Sequence, residues 1–369
     1  MADRDDYALR SAAAREVEAP ALPYRPPRPK KAHRIALVGA GGISFAHLDA
    51  YRAMGWDVAA ICSRDIGKAE GRRDEFFPQA MATTDYAALL ARDDIDVIDL
   101  TPHPEERAPL IEQALLASKH VLSQKPFVTD LDLGLDLCRL AEERGVRLAV
   151  NQNGRWSPHM AWMRAAVERG HLGEVMAAHV AVHWDHRWIR GTPFETVRDI
   201  VLYDFAIHWF DFVASLLRRP ATTVQALVVD VPSAGIAPPM MASALLDFGD
   251  AQASLVFDAA TPFGPQDSTY VAGTKGSLTS RGPNLGEQQV ELWTAEGVAR
   301  PRLEGQWFND GFAGAMGELL CAVEEEREPS NGARENLDSL ALCFAAIASS
   351  REGWPVEPWT VRRLPSQEV

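Results

Sequence analysis

The sequence predicts an α/β fold in two parts, a doubly wound parallel sheet followed by an α+β region with a large, mostly antiparallel open sheet. Three observations predict it. Between Arg34 and Val150 short apolar runs alternate with helical patterns, which is the order of a parallel sheet with helical crossovers. After Asn151 this alternation gives way to successive strands. The first apolar run passes directly into Gly39-Ala-Gly41-Gly42-Ile43-Ser44, after which Ile43, Ala46, His47 and Ala50 recur at helical spacing.

At 369 residues the chain exceeds one small core and calls for two domains. Residues 1–33 read as an N-terminal arm, 34–153 as a Rossmann domain, and 154–369 as an α+β domain. The arm is charged and then proline-rich (Pro20, Pro23, Pro26, Pro27, Pro29). It suits either a disordered tail or an extended arm laid on a neighbouring subunit. In the Rossmann part the expected strands are 35–38, 58–62, 97–100, 120–122 and 147–150, and the expected helices 66–77, 86–91, 109–118 and 131–144. Beyond it come a helix at 158–169, an alternating run at 176–184 and a helix at 203–217. Strands follow at 222–231, 242–248, 252–257, 268–272, 277–279 and 290–293, then helices at 309–326 and 331–350.

Composition excludes several classes. The net charge of −14 argues against nucleic acid and anionic membrane surfaces as partners. Cys62, Cys138, Cys321 and Cys343 are far apart with no C-x-x-C, so they read as reduced thiols of a cytoplasmic protein. The chain opens Met-Ala-Asp-Arg-Asp-Asp with no apolar core behind it, and no stretch reaches the length of a membrane span.

The strand–glycine turn–helix order makes Gly39-x-Gly41-x-x-Ser44 a dinucleotide fingerprint. Gly39 permits the turn, Gly41 lets backbone approach a pyrophosphate, and Ser44 is small enough for helix and strand to pack. Gly42 and Ile43 open the helix whose N–H groups face the phosphates. At the end of the second strand Ser63-Arg64 favours NADP, while Asp65 just beyond could instead reach a ribose and select NAD. After the strand 120–122 comes Ser123-Gln124-Lys125-Pro126. A lysine at a strand's carboxyl end can polarise a substrate hydroxyl, or it can be a plain surface lysine. Asp204 and His208, at i and i+4, share a helix face, with Asp211 also in reach. The carboxylate either tunes a general base or makes a structural bond. Trp184, His186 and Trp188 fall on one face if the strand continues, and suit a sugar ring as well as they suit sheet packing. Asn153 and Arg155 lie at the crossing between domains. His183 and His186 point apart by alternation, so no metal site is expected.

In order along the chain, Gly39-x-Gly41-x-x-Ser44, Thr101-Pro102, Ala117-Ser-Lys-His-Val-Leu-Ser-Gln-Lys125-Pro126, Asn151-Gln-Asn-x-Arg155, Asp204-x-x-x-His208 and Ala272-Gly-Thr-Lys-Gly-Ser277 resemble the glucose–fructose oxidoreductase/inositol dehydrogenase (Gfo/Idh/MocA) family over about residues 34 to 350. Gln124 stands where that family normally has glutamate, and Glu106 or Arg107 where a histidine usually follows the Thr-Pro turn. The resemblance implies an NAD(P)-dependent oxidoreductase moving a hydride between a secondary carbinol of a sugar or polyol and the nicotinamide. His208 would be the acid/base, Lys125 the polarising group and Asp204 a substrate or orienting contact. Thr101, Pro102, Gln124 and Lys125 would join the glycine turn in holding the cofactor. It also implies that residues 154–369 bind substrate and form a homodimer or homotetramer through the C-terminal sheet. Two alternatives share the fold: transient oxidation by tightly held NAD, giving glycosidic cleavage or epimerisation, and a non-catalytic nucleotide-binding regulator.

Overall fold

The computed structural model describes residues 14–367. A short strand, β1 (Glu16–Val17), opens the described chain. The parallel sheet is then built from β2 (Arg34–Val38), α1 (Ser44–Met54), β3 (Asp57–Cys62), α2 (Ile66–Phe76), β4 (Met81–Thr83), α3 (Tyr86–Leu90), β5 (Val97–Leu100), α4 (Pro104–Leu116), β6 (His120–Gln124), α5 (Leu131–Arg144) and β7 (Leu148–Asn151). Unbroken apolar runs form these strands because both faces of the sheet are covered; every residue of β5 and β7 is buried. The helices start where the sequence offers caps. Asp65, Asp85 and Asp130 each accept backbone N–H bonds at the openings of α2, α3 and α5. The strand order is β4-β3-β2-β5-β6-β7, which reverses between β2 and β5, the crevice where ligands of such sheets bind.

The second sheet is mixed. After α6 (Pro158–Glu168) come β8 (Val175–His183), a π-helical turn (Val201–Phe205) and α7 (Ile207–Leu217). Next are β9 (Thr223–Val229), β10 (Met241–Asp247), β11 (Gln252–Asp258), β12 (Gln266–Gly273), β13 (Gly276–Asn284), β14 (Glu287–Thr294) and β15 (Gly297–Ala299). Their order is β1-β15-β14-β13-β12-β8-β11-β10-β9, antiparallel except for β8 beside β11 and β1 beside β15. Helix α7 lies on the inner face of this sheet, its Trp209 ring against Phe257 of β11.

The last helices, α8 (Trp307–Glu324) and α9 (Ala333–Glu352), join the two halves. Phe312, Met316, Leu319 and Leu320 of α8 share one apolar cluster with Ile35, Leu37 and Leu48 of the first sheet and its helix. The described part of the arm contacts its own chain at several points. β1 extends the sheet edge, the Lys30 and Lys31 amides donate to the Glu324 carboxylate, and the Pro27 carbonyl approaches Gly317 of α8 closely. Proline-rich backbone is extended and cannot pair internally, so it takes its partners from the surface it crosses. Residues 1–13 of the arm lie outside the described residues.

On β12, between Val182 and Gly282, the Asp267 carboxyl is 0% exposed, and neither oxygen has a hydrogen-bond partner. Burial pushes it up to about 7. The folded chain therefore keeps that proton up to about pH 7, whereas the unfolded chain releases it above about pH 4. The stability this proton supplies is lost as pH rises through that window. Asp267→Asn should raise the melting temperature at pH 8 and change it little at pH 4.5. The gain at pH 8 should be on the order of 2–4 kcal/mol, read by scanning calorimetry.

Candidate active site

Residues around the crevice divide into those that shape it and those left facing it. Gly39 has φ +102°, and a Cβ there would stand 2.6 Å from Thr101 Oγ1 and 2.9 Å from Pro102 Cδ, so only glycine fits. The Thr101 hydroxyl donates to the Val38 and Gly39 carbonyls, and the Ser44 hydroxyl donates to the Gly41 carbonyl at 2.7 Å while accepting from Arg72. Both hydroxyls are thus used in shaping the turn. Gly41 and Gly42 are exposed, with open space where a Cβ would be. Helix α1 opens at Ile43 with no side-chain cap, and α4 opens at His103 with none, unlike α2, α3 and α5. The uncapped start of α1 lies at the point where strand order reverses and turns free N–H groups there, as an anion site requires, whereas α4 opens on Pro104, which has no N–H, with Glu105 and Glu106 in its first turn. The residues present fit a dinucleotide pyrophosphate.

At the end of β3, Asp65 is committed to capping α2 through Gly67 and Lys68. Arg64 is 88% exposed and pairs at 3.0 Å with Glu106 from α4. Arg107, the next residue, is buried. It donates to the Pro102 carbonyl at 2.8 Å and to the Pro126 carbonyl, tying the Thr101-Pro102 turn to the Lys125–Pro126 turn, whose peptide bond is cis. Burial without a carboxylate partner lowers its guanidinium to about 10.

From the end of β6, Lys125 Nζ donates to the Asp204 carboxylate at 3.0 Å and to the Asp204 backbone carbonyl at 2.9 Å. This departs from the expected Asp204–His208 pairing. The segment 201–205 is a π turn rather than the first turn of α7, so the i, i+4 geometry is lost there and the carboxylate goes to the lysine. Asp211 does not serve His208 either, since it is bonded to Arg155. The His208 Nδ1 is buried without a partner. The ring stands edge-on to Trp307 at 5.0 Å, and a Cβ on Gly154 would come within 3.4 Å of that nitrogen. Packing, not a carboxylate, orients it. Burial, and then the Lys125 charge, hold His208 well below the usual histidine range.

Gln124 does not turn its side chain to the crevice. Its amide bonds within the protein, to His47, Asn151 and the Lys125 N–H. Arg155 likewise departs from the expected pocket lining. Its guanidinium is buried, bidentate to Asp211 at 2.6 and 2.8 Å, and also donates to the Ser330 carbonyl. Asn153 accepts from the Trp307 indole at 3.1 Å. Strand β8 ends at His183, not at 188, because the Asp185 carboxylate accepts from the Arg187 N–H and turns the chain. The aromatics nevertheless associate. The His186 ring lies 5.0 Å from Trp184 and stacks on Phe205 at 4.2 Å, with Trp188 6.5 Å from Phe205. The His183 Nδ1 pairs with Asp258, away from His186.

Residues 33–152 match the model described as "Oxidoreductase family, NAD-binding Rossmann fold" (GFO_IDH_MocA), and residues 160–279 match the GFO/IDH/MocA C-terminal domain. The chain belongs to the Gfo/Idh/MocA family. It is an NAD(P)-dependent dehydrogenase acting on CH–OH groups. It is 26% identical to D-apiose dehydrogenase of Paraburkholderia graminis over 89% of this chain and 90% of that one. It is 23% identical to inositol 2-dehydrogenase of Rhizobium meliloti over 86% and 97%. An oxidoreductase from Agrobacterium radiobacter, solved with NAD+, L-tartaric acid and magnesium, superposes with a TM-score of 0.79 at 24% identity, over 89% of this chain and 98% of that one. Among the described residues no helix is long and apolar enough to cross a membrane.

For this Gfo/Idh/MocA chain, sequence reading passed over Phe194, Phe205 and Trp307, and named Arg107 only as standing where the family usually has a histidine. Phe194 reaches the His103 ring at 6.3 Å across the domain boundary, beside Trp188. The run Phe205-Ala-Ile-His-Trp-Phe held the signal for Phe205, because it is too apolar for one helix stripe and so one aromatic must face the crevice.

Burial also lowers His186 to about 4, so His186 and His208 are both neutral in the folded chain well below pH 6.5. The unfolded chain takes up these protons as pH falls below about 6.5, and stability falls with it. His186→Phe keeps the stack on Phe205 and removes one such proton. The acid-unfolding midpoint, followed by circular dichroism, should move to lower pH.

Proposed function

We propose that this dehydrogenase oxidises a secondary carbinol of a neutral sugar, polyol or related hydroxy compound, with His208 taking the hydroxyl proton and Lys125 polarising the oxygen. The observation that carries the reading is the Lys125–Asp204 pair at 3.0 Å, which brings an ammonium from the first sheet against the element that leads into His208. Neutral His208 is ready to accept a proton, and Lys125 stabilises the developing alkoxide. The nicotinamide, when bound, supplies the hydride acceptor. Gly41, Gly42 and Ile43 at the α1 start would hold its pyrophosphate, with Thr101 and Pro102 walling the turn. The nearby cations support a neutral substrate. Lys125 is paired with Asp204, Arg155 with Asp211, and Arg107 is used by two carbonyls. Trp184, His186, Trp188 and Phe205 would offer ring faces to the C–H side of a sugar, and Asn153 a polar edge. The names of the sugar- and polyol-oxidising relatives agree with this class.

For the cofactor we infer NADP. Asp65 is occupied as a helix cap, which leaves Ser63 and Arg64 to meet a 2′-phosphate. Burial of all four free thiols suits a cytoplasmic protein. The outer face of the large sheet would join copies of the chain. The register puts Leu227, Val229, Leu245 and Tyr270 on that one face, at 58, 42, 60 and 44% exposure.

Lys125→Ala and His208→Ala should each lower kcat by about 10²–10⁴-fold while cofactor affinity changes by less than about threefold. A sugar and polyol screen read by nicotinamide absorbance supplies the assay, and near-normal turnover in both variants would overturn the assignment. Arg64→Ala should raise KM for NADP more than for NAD. Glu106→Gln, which releases Arg64, should do the reverse.

A further inference from the structure

A buried polar cluster lies directly behind Lys125 and takes no part in the steps above; among its atoms Asp99 Oδ1 and Asn151 Oδ1 have no hydrogen-bond partner. It joins His47 and Tyr51 of α1, Asp99 of β5, Gln124 at the end of β6 and Asn151 at the end of β7, all buried. Phe312 of α8 packs edge-on against the His47 ring at 4.8 Å. Asp99 and Tyr51 are the titratable groups bonded to His47, from the sheet and from its own helix.

One backbone group fixes every hydrogen direction in this cluster. The Lys125 N–H can only donate, and the Gln124 side-chain oxygen accepts it at 2.7 Å. The Gln124 atom facing His47 Nε2 at 3.3 Å is therefore its nitrogen, a donor. The Asn151 atom that touches both the Gln124 oxygen (3.2 Å) and His47 Nε2 (3.1 Å) must likewise be nitrogen. His47 Nε2 receives two N–H donors and carries no proton. The ring's one proton lies on Nδ1, directed at Asp99 Oδ2 2.7 Å away, an oxygen that also accepts the Tyr51 hydroxyl at 2.7 Å.

We propose that Gln124 is a positioning residue for Lys125, and that Asp99, acting through the tautomer of His47, dictates an amide rather than a carboxylate at position 124. The proposal rests on the role given to Lys125 above. The chain of bonds from Asp99 to the Lys125 N–H holds the backbone from which Nζ reaches Asp204. A carboxylate at 124 would set an acceptor oxygen against an unprotonated Nε2. The cluster would then need one more proton, shared among His47, Asp99 and the new acid, to keep these acceptors from facing each other unpaired.

The reverse polarity is available by changing both ends. With Asp99→Asn an amide donates to His47 Nδ1, the ring proton moves to Nε2, and Nε2 donates to a carboxylate at 124. Q124E and D99N should each lower kcat at pH 8 by about tenfold or more, and the double variant should recover to within about threefold of the natural chain. Q124E should also gain a limb in its kcat–pH profile that falls as pH rises, absent from the natural chain and from the double variant. Natural-chain turnover and profile in Q124E, or a double variant no better than the product of the singles, would overturn the proposal. Lys125→Ala run alongside separates the two claims: if it stays active, the role of Lys125 is wrong, whereas if it is dead while Q124E and D99N are normal, only the positioning role is wrong. If a variant fails to fold, ¹⁵N NMR of the natural protein decides. His47 should show a protonated Nδ1 and an unprotonated Nε2, and the opposite tautomer or a doubly protonated ring would refute the chain of bonds.

Discussion

The contact between the Lys125 ammonium and residue 204 spans the two halves of the molecule, and the rest of the site is arranged around keeping its ends in place. Lys125 leaves the carboxyl end of β6, while Asp204 sits on a π turn at the base of the second sheet. The lysine meets a carboxylate and a peptide carbonyl of the same residue, which fixes direction as well as distance. One ammonium proton is then left over for a third partner. An ammonium in bulk water would be screened by its own hydration. Here, with the side chain 15% exposed, its charge reaches His208 and His186 and adds to the effect of burial in keeping the His208 ring neutral.

Two buried guanidiniums support this arrangement in different ways. Arg107 binds carbonyls of two turns that border the crevice, so the wall of the cofactor groove and the start of the lysine loop move as one. Arg155 forms a full ion pair with Asp211, to which Ser339 of α9 also donates at 3.1 Å. Removing one member of such a pair strands a charge in the interior, typically at about 3–5 kcal/mol. The C-terminal helices thus fix the register between the halves. α8 fills the apolar face of the first sheet, and α9 reaches Asp211 beneath α7.

Much of this was legible in sequence because it rests on short-range rules. Unbroken apolar runs gave the parallel strands, the glycine turn gave the crevice, and Lys125, Asp204 and His208 were all brought to it. What could not be read depends on competition between partners. Asp204 had a histidine at helical spacing and a lysine 79 residues away, and the distant partner won because the backbone widened into a π turn. Arg155 read as pocket lining, since nothing local announces that Asp211 will claim it. The run through Trp184 to Trp188 kept its alternation in sequence, but the Asp185 side chain broke the strand. The clustering of its aromatics survived, as it needs only proximity.

The uncapped start of α1 acquires a further meaning from the charge of the whole molecule. A chain of net charge −14 repels a dinucleotide, itself an anion, at distances beyond the crevice. Attraction begins only within the reach of the free N–H groups of the glycine turn and α1, a few ångströms away. Added salt weakens the long-range repulsion far more than the short-range hold, since screening acts over about 10 Å at 0.1 M ionic strength. Capture of cofactor by this enzyme is therefore a search against an adverse field that ends in a small favourable pocket. Ionic strength governs how fast the search succeeds more than how firmly the captured molecule is kept.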